Sequence, residues 1–241
     1  GDPQTGTGVS RNGELRQQAI GFHQAGRLAE AEAAYRELMR AFPAADVAAN
    51  LGALLRGQGR LEAAEQLYHQ ALQAFPHDAT LLANACNLLR DLGKASDTVP
   101  LLERALQREP SSFPLRQGLA LSLHHCGRIG EALQLLPALL AEQPHDVNLL
   151  LELGACRAKR GEHQQALQAF EKALKLDPAN PQIQANRIAM LGDLGRLEDA
   201  AQALAQAPLR GQHPRLIGAE ATLLSARNEL QAALELQLRL T

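Results

Sequence analysis

The fold is decided by one stretch, VNLLLELGACRAKRGEHQQALQAFEKALKLDP, residues 147–178. Apolar residues recur at helical spacing from Leu149 to about Arg160, and again from Gln164 to Leu176. Gly161 lies between the two runs, and Pro178 closes the second. Glycine ends a helix because the residue just past the last turn adopts a left-handed conformation. Proline ends one because it cannot continue the backbone ladder and restricts the residue before it. The segment therefore reads as two short helices joined by a tight turn.

The same punctuation recurs along the chain. Glycines at 26, 59, 93, 127, 161 and 195 are spaced by 33 or 34 residues, as are prolines at 43, 76, 110, 144 and 178. Two independent marks with one period define an internal repeat. The repeats run approximately 12–44, 45–78, 79–112, 113–146, 147–180 and 181–213, with a partial seventh over 214–241. Residues 1–11 are polar and Gly-rich without periodicity, and read as a flexible leader. The array over 12–241 is expected to form a single domain.

These residues resemble the tetratricopeptide repeat family. Its pattern is a large residue, x2-Leu-Gly-x2-aromatic, then Ala-x3-aromatic, then Pro. The fifth unit carries Leu150, Leu153, Gly154, Ala166, Phe170, Ala173 and Pro178. The second carries Leu51, Gly52, Leu55, Ala64, Tyr68, Ala71 and Pro76. The third departs with Thr98 where Ala is usual, and the sixth lacks the closing Pro in register. The seventh carries Ala221, Leu224 and Ala233. The resemblance implies an all-α solenoid, a right-handed superhelix of stacked antiparallel hairpins whose first helices line a concave groove.

Composition agrees. Ala and Leu number 43 and 46 of 241 residues, and both are strong helix formers. Aromatics are 3% and Trp is absent, which argues against an all-β protein. At 46% hydrophobic and a net charge of -2, the chain is neither disordered nor basic enough to attract nucleic acid or anionic lipid. No apolar run is long enough for membrane insertion. Three cysteines suggest reduced thiols, favouring a cytoplasmic setting with the periplasm open.

No phosphate loop, dinucleotide-binding glycine set or nucleophile elbow occurs, so neither catalysis nor a cofactor is expected in this segment. His124, His125 and Cys126 look metal-like, but helical metal pairs use i and i+4, so no metal is expected.

What remains is the groove that the resemblance implies. Its sixth repeat position carries Asn50, Asn84 and Asn186. A carboxamide both donates and accepts, so a row of them could pair with a peptide backbone of any sequence. This is similar to the asparagine ladder of such arms in protein-modifying glycosyltransferases. The twelfth position carries His23, Arg56, Arg90 and His124, which favour an acidic peptide or carboxylate ligand. The chaperone-tail clamp of the family is not matched, because Thr80 and Ala83 stand where cations are wanted and Ile20 where Asn is wanted.

The expectation is a non-catalytic scaffold for protein–protein interaction. Two alternatives are a substrate-recruiting arm of a larger bacterial enzyme (a glycosyltransferase, sulfotransferase or hydroxylase) and an envelope or secretion assembly factor. Leu234, Leu236, Leu238 and Leu240 leave the last unit apolar, an expected meeting point for further chain or for self-association.

Overall fold

A computed structural model describes residues 3–239. They form thirteen helices and no strand. The chain divides into two compact units, Gly1–Gly127 and Arg128–Thr241.

The first unit holds α1 (Pro3–Gln24), α2 (Leu28–Ala41), α3 (Ala45–Gly57), α4 (Leu61–Ala74), α5 (Ala79–Asp91), α6 (Ala95–Arg108) and α7 (Phe113–His125). Helices α1/α2, α3/α4 and α5/α6 pair as hairpins, and α3, α5 and α7 pack successively on one another. The second unit holds α8 (Ile129–Glu142), α9 (Val147–Lys159), α10 (His163–Leu176), α11 (Pro181–Asp193), α12 (Leu197–Gln206) and α13 (Pro214–Arg239). Here α9/α10 and α11/α12 are hairpins, and α13 packs on α11 and α12.

Local chemistry sets these boundaries. Each hairpin turn carries its glycine at positive φ, between 74° and 83° at positions 26, 59, 93, 127, 161 and 195. At Gly59 the turn is closed by Arg60 N–H donating to Leu55 O at 2.9 Å, the six-to-one bond of a Schellman motif. After Pro76, Pro144 and Pro178 the second residue caps the next helix. Asp78 Oδ1 accepts from Leu81 N–H at 2.8 Å, and Asp146 Oδ1 from Leu149 N–H at 3.0 Å. Asn180 does the same for α11. Each such cap contributes about 1 kcal/mol.

The helices cross over small residues: Ala31, Ala64, Ala132, Ala166 and Ala200 are all fully buried. Leu38, Leu55 and Leu81 fill the first unit, and Leu167, Leu191 and Leu216 the second. At about 1.5–3 kcal/mol for each buried leucine, burial between neighbouring hairpins offsets the ordering entropy that a lone hairpin could not.

Two sequence expectations change. Residues 3–11, read as a leader, belong to α1, which starts at Pro3. The added turns lean on the first hairpin: Arg11 Nη2 reaches Glu37 Oε1 of α2 at 3.0 Å. Residues 1 and 2 lie outside the described residues. The partial seventh repeat is one uninterrupted 26-residue helix, α13.

Candidate functional site

In the first unit Asn50 lies on α3 and Asn84 on α5, at equivalent places on two helices that pack together. Asn50 is exposed and Asn84 half-buried. Their neighbours in the groove register, Ala53, Thr80 and Ala83, are small. No hydrogen bond from another described residue engages the side chain of Asn50, Asn84 or Asn186. Among the other asparagines, Asn180 caps a helix, and Asn87 accepts from Arg90. Asn186 stands half-buried on α11 of the second unit, at the same repeat position.

The cationic row behaves differently from its sequence reading. Arg56 Nε on α3 pairs with Asp91 Oδ2 on α5 at 2.5 Å, both half-exposed. Arg90 reaches from α5 to α7, where Nη1 donates to Ser122 Oγ at 2.9 Å and to Gly118 O at 3.2 Å. His23 Nδ1 lies 3.1 Å from the Tyr35 hydroxyl, with the two rings edge to face. His124 is buried. In this row Arg56 and Arg90 thus join adjacent repeats, His23 meets Tyr35 of its own hairpin, and His124 is buried. An ion pair such as Arg56–Asp91 presents little net charge to a ligand. Asp46, on the same helix as Asn50, is likewise paired with Arg16 at 2.5 Å.

A buried polar junction joins repeats three and four. Thr98 Oγ1 on α6 lies 2.5 Å from Ser122 Oγ on α7 and 2.6 Å from Ala95 O. Ser122 also accepts from Arg90. Thr98 and Ser122 are both fully buried. The sequence signal was present as Thr98 in place of the usual alanine, but it did not identify the partner.

The two buried thiols, Cys86 and Cys156, offer no nucleophile at neutral pH. Burial pushes Cys86 up to about 11 and Cys156 to about 12, so both stay protonated. Cys126 Sγ donates to Ser122 O at 2.9 Å. No helix among the described residues is long and apolar enough to cross a membrane.

Helical hairpins turned by positive-φ glycines and packed through small residues define a helical-repeat protein. Models of the tetratricopeptide repeat match residues 17–79, 89–155 and 147–180. The chain belongs to the tetratricopeptide repeat family. No curated protein matches it in sequence.

Among solved structures, a tetratricopeptide repeat protein from Parabacteroides merdae is 21% identical, with a TM-score of 0.74 over 90% of this chain and 87% of that one. PilW, described as a widely conserved type IV pilus biogenesis factor, is 18% identical with a TM-score of 0.77, over 86% of this chain and 97% of its own. Pseudomonas aeruginosa pilF is 18% identical with a TM-score of 0.72, over 90% and 99%. At these identities the likeness is one of fold.

Proposed function

We propose that the chain is a non-catalytic scaffold that holds an extended peptide segment of a partner protein across the first helices of its N-terminal unit. The observation that carries this reading is the pair Asn50 and Asn84. They occupy equivalent places on packed helices, small residues flank them in sequence register, and no hydrogen bond from another described residue engages their carboxamides. An amide that accepts from one peptide N–H and donates to one C=O reads backbone rather than sequence. Asn186 offers the same chemistry within the second unit, taken by itself.

Charge complementarity plays the smaller part, because Arg56 and Arg90 already have partners in neighbouring repeats. Selection for acidic ligands is accordingly weak. A net contribution of about 0.5–1.5 kcal/mol per hydrogen bond, set against association costs of several kcal/mol, leads to micromolar affinity. Panning a displayed random-peptide library on the purified chain tests the reading. Enrichment of unstructured peptides with no shared charge pattern supports it, and failure to enrich any peptide overturns it.

A further inference from the structure

Helix α13 breaks the pattern of every repeat before it. Six units carry glycine at their fifteenth position, each at positive φ. The seventh has Asn228 there, and among the described residues no residue other than glycine has positive φ. The hairpin turn is therefore absent, and the helix runs straight from Pro214 to Arg239.

The first half of α13 packs on α11 and α12 through Leu216 and Leu223, which are 0% and 6% exposed. The same stripe continues seven residues on as Leu230, then Leu234 and Leu238, now 52%, 52% and 76% exposed. One apolar face is thus covered at its start and bare at its end. Beside it, a groove of about 710 Å³ runs between the start of α12 and the middle of α13. Leu197, Leu224, Leu230 and Leu234 line it, and Arg227 pairs with Glu198 at its rim at 2.8 Å.

We infer that two copies of this chain exchange the second halves of α13 to form a symmetric dimer. The segment after Asn228 has the register of a repeat's second helix: Leu230 stands where Leu28, Leu61 and Leu197 stand, and Leu234 where Leu133 and Leu167 stand. Its matching surface is the first half of α13 with α12. A straight helix cannot fold back onto its own first half, but it can lie antiparallel on that of another copy. A two-fold axis near Asn228 makes each contact twice and covers both stripes, the self-complementary arrangement of an exchanged element. Register and groove belong to the same chain, so the occupant that fits is a second copy.

The test is the solution mass of the 241-residue chain by sedimentation equilibrium across the micromolar range, with far-UV circular dichroism on each variant. The wild type is expected to be a dimer. Asn228→Gly restores the turn glycine, lets the hairpin close within one chain, and is expected to give a monomer of unchanged helix content. Asn228 is exposed, so the substitution disturbs no core. Leu230→Ser with Leu234→Ser, also at exposed positions, is expected to give a monomer and decides the matter if Asn228→Gly loses helix. A monomeric wild type overturns the proposal. So does a dimer that survives Asn228→Gly, which would show that the stripe is covered without exchange, and one that survives the double serine variant.

Discussion

A methyl group added to Gly52 would fall inside the ring of Tyr68, the aromatic residue of its own hairpin. The ring of Phe170 stands over Gly154 in the same way. Gly118, at the nearby place in the fourth repeat, differs: its nearest neighbour is Leu102 Cδ2 at 3.6 Å, an ordinary contact. At Gly52 and Gly154 a ring occupies the space of a side chain, and at Gly118 none does.

Gly52→Ala is accordingly expected to destabilise the chain by about 1–3 kcal/mol through overpacking. Gly118→Ala is expected to be neutral or to stabilise by up to about 1 kcal/mol, through better helix propensity. Urea unfolding midpoints compare the two. Equal losses would mean that the ring of Tyr68 swings away freely.

The junction of Thr98, Ser122 and Arg90 sets a second expectation. Thr98→Val keeps the volume but removes one of the partners of Ser122, leaving Arg90, and is expected to cost about 1 kcal/mol. Adding Ser122→Ala removes the other side of the same bond, so the double variant loses less than the sum of the singles by about 0.5 kcal/mol or more. Arg56→Ala, which breaks a half-exposed ion pair, is expected to cost only about 0–1 kcal/mol. A double-mutant cycle by chemical unfolding checks all three, and strict additivity would mean that Thr98 and Ser122 do not interact.

Stability should also have two pH limits. The hydrogen bond from Arg60, against a smaller cost of burial, holds Glu32 below its ordinary 4.5, and that from Arg16 holds Asp46 below 3.8. Carboxyls lowered by folding stabilise above their unfolded values, so stability is lost as pH falls below about 4.5. Burial raises Cys86 from 9.0 to about 11 and Cys156 from 9.0 to about 12, so the unfolded chain gives up these protons first. Their contribution is complete below pH 9.0 and declines above it. Urea midpoints against pH should show a plateau between those limits. Loss of stability setting in near neutrality would contradict this assignment.

The hairpins were legible because their stops are backbone effects: a positive-φ turn needs glycine, and a closing proline cannot be helical. Positions of small and large residues followed, since crossing distance permits little choice at Ala31, Ala64 or Ala166. The partners of the cationic row were not legible, because spacing along one helix does not reveal that Asp91 and Ser122, from the next repeats, come within reach of Arg56 and Arg90. Length misled at both ends. Polarity hid the first turns of α1, and the sequence reading did not register that Asn228 replaces the turn glycine. Asn50 and Asn84 stood out in the sequence because an asparagine recurring at one repeat position is a pattern independent of packing.

The account rests most directly on those two carboxamides. The measurement is the dissociation constant of a library-selected peptide, by fluorescence anisotropy, for the wild type and for Asn50→Ala with Asn84→Ala, each with its melting temperature. Loss of up to four hydrogen bonds at about 0.5 kcal/mol or more apiece predicts binding weakened by about tenfold or more, with melting nearly unchanged. Unchanged affinity, or a loss of affinity matched by a fall in melting temperature, would contradict the claim that Asn50 and Asn84 hold the peptide.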